Sequence, residues 1–178
     1  MVQQINQNYF QLFDLSESFD LDLEKLSEEY HARQVGVHPD KFSGATEKDK
    51  LRAVQLTSYL NEAYSTLKSP IKRAAYLLTI NGLNVESVSQ NDLGMDLLLE
   101  QMQLRESLEA LPKDESALTT LSHLKSEVGE KLNLKQNIFS REFALGELAQ
   151  AKRTFHELQF LHKLLLEIES GEEQRLGY

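Results

Sequence analysis

The sequence predicts an all-α protein built in two parts. Three observations carry this. Glycine and proline are scarce, 8 and 3 in 178 residues, and runs of β-branched residues are absent, so strand and turn signals are few. Apolar residues recur at the three- and four-residue spacing of a helix face along most of the chain. The rhythm lapses over residues 83–92 (Leu-Asn-Val-Glu-Ser-Val-Ser-Gln-Asn-Asp), which are polar, short-sided and aperiodic. The expected division is a first domain at 1–80, a linker at 81–91 and a second domain at 92–178.

Asn8 can open a short helix through Tyr9, Phe10, Leu12 and Phe13. Asp22 is a fitting N-cap for a second helix with Leu23, Leu26, Tyr30 and Val37 on one stripe. Pro39 must end it, because proline lacks an N–H and pushes His38 out of the α region. After a polar loop to about Thr46, a longer helix runs to about Ser69, with Leu56, Tyr59, Leu60, Ala63 and Leu67 on one face. Pro70 opens a shorter helix over 71–80, and Asn81-Gly82 stops it. Three helical patterns follow, at about 93–111, 115–143 and 146–170. Pro112-Lys113-Asp114 separates the first two, and the second break lies near Phe143–Gly146. Short connections between three such helices predict a small antiparallel bundle.

Composition narrows the function classes. Apolar residues make up 40%, enough for packed cores. There is no cysteine, which removes disulfides, thiolate chemistry and every Cys-based metal site. The net charge of −9 disfavours nucleic acid and anionic membrane as partners. Residues 92–178 are the more acidic half, with 16 acids against 10 bases. Met1 to Phe10 has no basic region and no long apolar run, so no secretory signal is expected. No stretch approaches the roughly 18 apolar residues of a membrane span. The expected location is the cytoplasm.

His38-Pro39-Asp40 sits between two amphipathic helices. A proline pre-sets the backbone and lowers the entropy cost of docking, and Asp40 offers a carboxylate that an arginine can clasp bidentately. The blander reading is a helix stop followed by a turn former. The context decides between them. Asn8-Tyr9-Phe10-Gln11-Leu12-Phe13, then His38-Pro39-Asp40-Lys41-Phe42, then Asn61-Glu62-Ala63-Tyr64-Ser65-Thr66-Leu67 resemble the J-domain family, in family order and at family spacing. Three further segments resemble its HscB branch, the iron–sulfur co-chaperones: Ser69-Pro70-Ile71-Lys72-Arg73-Ala74-Ala75-Tyr76-Leu77-Leu78, Leu98-Leu99-Glu100-Gln101-Met102-Gln103-Leu104-Arg105-Glu106, and Phe160-Leu161-His162-Lys163-Leu164. No Gly/Phe-rich region or zinc-binding Cys array is present.

The resemblance implies an L-shaped pair of helical domains: a J-domain (a helical hairpin with its His-Pro-Asp loop) and a three-helix bundle. It implies a non-enzymatic activator of a DnaK-type chaperone, HscA, reached through His38, Pro39, Asp40 and Lys41, with Lys25 and Arg33 on the preceding helix. It implies no cofactor. Two departures stand out. Lys25, His31 and Arg33 are opposed by Glu24, Glu28 and Glu29, so electrostatic steering should be modest, and Val37 stands where many J-domains have tyrosine.

A helical wheel adds a second surface. At about 100° per residue, Leu104, Leu108 and Leu111 fall within about 40° of Leu97, a core stripe. Leu98, Met102 and Met95 fall at about 100°, 140° and 160°, and Glu106 near 180°. That second set is either covered by the first domain or left as a partner patch. On the last helix Ala151, Phe155, Leu161 and Leu165 fall within about 60° of Leu158, while Phe160 lies near 200°, away from the core. There it could join Leu98 and Met102. The resemblance implies that Leu98, Leu99, Met102, Arg105, Glu106 and Phe160 bind the cluster scaffold protein, IscU.

Other chemistry fits poorly. His156 and His162, six apart, fall on different helix faces, and no histidine pair has the i, i+4 ligand spacing. No matched Glu-x-x-His pair, phosphate-binding glycine loop or nucleophilic-serine signature occurs. The rival readings are a J-protein with a different client and a metal-binding helical enzyme.

Overall fold

The computed structural model describes residues 7–37, 44, 46–86 and 94–177, with Asp96 and Leu97 described in backbone only. The described residues form helices and turns with no strand. They divide into two units, Met1–Asn81 and Gly82–Tyr178. No helix among them is long and apolar enough to cross a membrane.

In the first unit, Asn8 caps α1 (Tyr9–Leu12) through a capping box. Its side chain accepts from Gln11 N–H at 2.9 Å, and the Gln11 side chain accepts from Asn8 N–H at 3.1 Å, so two orphan donors are satisfied by one pair. The helix is a single turn and holds by anchoring. Phe10, Leu12 and Phe13 are buried. The Tyr9 ring stacks on Tyr76 at 4.3 Å, and Tyr9 N–H donates to the Tyr76 hydroxyl at 3.0 Å. Burial pushes the phenols of Tyr9, Tyr59 and Tyr76 above their ordinary pKa.

Asp22 accepts from the backbone N–H groups of Glu24 and Lys25 at 3.0 Å each and starts α2 (Leu23–Val37). That helix pairs with α3 (Glu47–Lys68) as an antiparallel hairpin. Leu26, Leu60, Ala63 and Leu67 are buried, and Tyr30 stacks on Tyr64 at 4.1 Å while donating to Asn61 Oδ1 at 2.9 Å. Leu23, expected on the buried stripe, is 48% exposed. It sits in the first turn, one residue past the cap.

Ser69 ends α3 and caps α4 (Pro70–Ile80), with Pro70 in the first turn, where a missing N–H costs nothing. Arg73 is buried in this joint. Its Nη1 donates to the Leu67 carbonyl at 2.6 Å, and its guanidinium lies 5.0 Å from the Phe19 ring centroid. Burial pulls its pKa below the usual arginine range.

The second unit contains α5 (Met95–Glu109), α6 (Leu118–Ala144) and α7 (Leu148–Leu176). A 3₁₀ turn, Glu115–Ala117, precedes α6, where the sequence predicts continuous helix from 115; Asp114 caps it by accepting from Ser116 N–H at 2.9 Å. Gly146 turns the α6–α7 hairpin at φ 75°, a conformation glycine takes without strain. The core seam uses Leu121, Val128, Leu132 and Phe139 of α6 against Phe155, Leu158, Leu161 and Ile168 of α7. Leu164 is buried there and the expected Leu165 only half-buried.

Two expectations need correction. The last helix runs six residues past 170 and through Gly171. Arg175 explains this: its Nη1 donates to the Gly171 carbonyl, and its Nε and Nη2 donate to the Pro112 carbonyl at 2.8 and 2.6 Å. The α5 stripe is also less deeply placed than a core stripe. Leu104, Leu108 and Leu111 are half-buried, and no described α5 side chain is fully buried.

Candidate functional site

His38, Pro39, Asp40 and Lys41, expected from the sequence to meet the chaperone, lie outside the described residues. Their frame is described. Helix α2 runs up to Val37. Thr46 caps α3, its hydroxyl accepting from Asp49 N–H at 3.3 Å. The Thr57 hydroxyl lies 3.4 Å from the Val37 carbonyl and 2.8 Å from that of Ala53, tying the last residue of α2 to α3. The α2–α3 hairpin on either side of these residues is therefore braced.

The two α2 cations differ. Lys25 is exposed. Arg33 is engaged inside its own unit: it pairs with Asp14 at 2.5 Å and with Glu29, and its guanidinium lies 5.8 Å from the Phe13 ring centroid. Asp14 takes a left-handed conformation, φ 52°, which aspartate tolerates better than most residues, and so presents its carboxylate to Arg33. The exposed surface of α2 carries Glu24 and Glu28 beside Lys25 and His31, so it is not a basic face.

On α5, Met95 is 71% exposed, Met102 59%, Leu99 50% and Leu98 38%. Four large apolar side chains on 15 residues exceed the scattered leucines of an ordinary surface. Glu106 is exposed, and Arg105 donates to Glu167 Oε1 at 3.3 Å, linking α5 to α7.

Phe160 lies off the buried α6–α7 seam, where the wheel puts it, but is not exposed. It is half-buried in the wall of a groove between α5, α6 and α7, with Leu104, Leu134 and Leu161. Leu98 and Met102 do not line this groove. The reason is that α5 packs on α7 here, so Leu104 of α5 lines the same groove as Phe160. Lys131 and Lys135 stand at the groove, Lys131 2.7 Å from Glu100 and Lys135 paired with Glu157. The hydrogen bond to Glu100 is the main reason the Lys131 ammonium titrates above its ordinary value.

Sequence reasoning missed Leu134. A wheel drawn on α6 would have found it, since Leu134 lies about 200° round from the buried Leu132. His156 is buried beside Phe155, its Nδ1 3.2 Å from Gln159 Oε1. Among the described residues no three His, Asp or Glu side chains gather as metal ligands would.

Residues 93–169 match the family model of the HSCB C-terminal oligomerisation domain. A co-chaperone protein HscB homolog from Shewanella loihica is 40% identical over 171 residues, covering 93% of this chain and 98% of that protein. Its counterpart from Vibrio vulnificus strain YJ016 is 40% identical over 172 residues, covering 96% and 99%. Among solved structures, chaperone HscB from Vibrio cholerae superposes with a TM-score of 0.84 at 36% identity, over 94% of this chain and 99% of that one. Human co-chaperone protein HscB gives a TM-score of 0.85 at 27% identity, over 92% and 81%.

Proposed function

Because this chain belongs to the HscB co-chaperone family, with an N-terminal J-domain and a C-terminal helical domain, we propose that it binds the iron–sulfur scaffold protein IscU and presents it to the DnaK-type chaperone HscA, whose ATPase it stimulates. The observation that carries the client half is the outer face of α5. Leu98, Leu99 and Met102 are exposed, while the α6–α7 seam is closed without them. Apolar surface that the bundle does not need is available to a partner. Arg105 and Glu106 supply the polar rim, and Phe160 a neighbouring aromatic anchor.

The chaperone half rests on His38, Pro39, Asp40 and Lys41, which lie between α2 and α3 in the sequence, and on Lys25, exposed on α2. Asp40 offers the carboxylate to an arginine of the chaperone. The hydrolytic chemistry belongs to the chaperone, and this chain acts by docking. Holding client and activator on one chain raises the client's effective concentration at the chaperone. The cytoplasm is the compartment that fits this work.

A steady-state ATPase assay tests the proposal. HscA turnover should rise when this chain is added and rise further with IscU. Stimulation that ignores IscU, with no complex between the two, would favour a J-protein with another client. No stimulation at all would remove the co-chaperone mechanism.

A further inference from the structure

The groove between α5, α6 and α7 has a volume of about 220 Å³. Leu104, Leu134, Phe160 and Leu161 give it apolar walls. Its lysines are answered by carboxylates. Lys131 lies 2.7 Å from Glu100 and 3.2 Å from Glu127, and Lys135 pairs with Glu157. A rim so paired offers little to a charged ligand. The volume is also below the roughly 300–1,000 Å³ usual for small-molecule and cofactor sites. Its size and lining suit one or two apolar side chains.

Leu134 is 59% exposed although it lines this groove. It is not among the buried residues of α6, which are Leu121, Val128, Leu132 and Phe139. A single exposed leucine needs no explanation. One that shares an apolar groove with a half-buried phenylalanine has a use for its exposure.

We propose that the groove receives a bulky apolar side chain of the iron–sulfur scaffold protein, with Leu134 as a specificity-determining contact on α6. This rests on the scaffold-binding reading above and extends that site from the Leu98–Met102 face of α5 to the α6 side. The occupant follows from continuity. Phe160, which the proposed function assigns to the scaffold, also lines the groove wall. Helix α5 carries Leu98 and Met102 on one side and turns Gln101 and Leu104 into the groove on the other. A partner seated on α5 reaches both, and a pocket beside a central aromatic is where a partner's anchor side chain is best desolvated.

The test is calorimetric titration of the full chain with purified scaffold protein, alongside thermal melts. Leu134→Asp sets a charged carboxylate in the apolar groove and should weaken binding about tenfold or more. Leu134→Ala should weaken it about three- to tenfold. Both should melt within about 2 °C of the wild type, because the side chain is largely exposed. Leu145→Asp, at a 66% exposed site beyond the groove, should bind normally. If Leu134→Asp melts early, Leu134→Ala decides alone. Normal binding by the Leu134 variants with weak binding by Met102→Ala overturns the groove and leaves the scaffold reading intact. Normal binding by both Met102→Ala and Phe160→Ala overturns that reading and this inference with it. A self-associated form of the chain that Leu134→Asp dissolves, with scaffold affinity unchanged, assigns the groove to a second copy and overturns the proposal too.

Discussion

At Asp40 a change to asparagine removes a charge and keeps the side chain's shape. Asp40→Asn should leave the melting temperature within about 2 °C of wild type, since the hairpin is held by Leu26, Leu60 and the Tyr30–Tyr64 stack. It should abolish ATPase stimulation, because the arginine partner loses its counter-charge. Normal stimulation would mean that Asp40 is only a turn former. Arg33 should behave in the opposite way. Its pairs with Asp14 and Glu29 and its place over Phe13 make it a tie within the first unit. Arg33→Gln should cost about 1–2 kcal/mol, lowering that unit's melting point by roughly 4–8 °C per kcal/mol. Full stability with lost chaperone stimulation would instead make Arg33 a docking cation. Phe160 stands between these cases. A fully buried phenylalanine cut to alanine costs about 3–5 kcal/mol; half-buried, Phe160→Ala should cost about 1–2 kcal/mol and weaken scaffold binding at least tenfold. Melting and calorimetry separate the two effects, and a core-sized loss of stability with normal binding would count against the scaffold site.

The helices were legible from the sequence to the extent that their signals are local. Asn8, Asp22, Thr46 and Ser69 sit where each helix begins because a short side chain can satisfy an orphan N–H wherever it occurs, and Gly82 and Gly146 mark stops at positive φ. What escaped depends on contacts distant in sequence. Helix α7 passes through Gly171 because Arg175 reaches the Pro112 carbonyl 63 residues away. The position of Phe160 depends on where α5 comes to rest, which a wheel on α7 alone cannot reveal. The same logic ranks the bundle's helices by protection. Helices α6 and α7 share a seam of fully buried residues. Helix α5 has none among its described side chains and is fastened partly by the Arg105–Glu167 and Lys131–Glu100 pairs, which at such exposure are worth under about 1 kcal/mol each. Amide exchange should be at least about tenfold faster in α5 than at the centres of α6 and α7. Adding scaffold should slow α5 most, since that helix gains a covering layer. Protection equal to that of α6 in the free protein would show that α5 belongs to the core.

The chain divides into two units between Asn81 and Gly82, each closed around its own buried side chains. Phe10, Leu26 and Leu67 serve the first, and Leu121, Phe139 and Leu158 the second. Tyr9, Tyr59, Tyr76 and Arg73 find their hydrogen-bond partners within residues 7–76, so cutting after Asn81 strands none of the polar groups that hold α1 and α4 in place. A fragment of residues 1–81 should therefore fold alone and melt as one cooperative transition. It keeps the α2–α3 hairpin and the segment His38-Pro39-Asp40, so it should stimulate the chaperone's ATPase by itself. It lacks α5, Leu134 and Phe160, so added scaffold should bring no further increase and calorimetry no binding heat. The full chain should show the scaffold-dependent increase under the same conditions, because only there are client and activator tethered together. An unfolded fragment would mean that the first unit depends on the second for stability. A folded fragment that responds to scaffold would move the client site into the J-domain, and the exposed face of α5 would then need another partner.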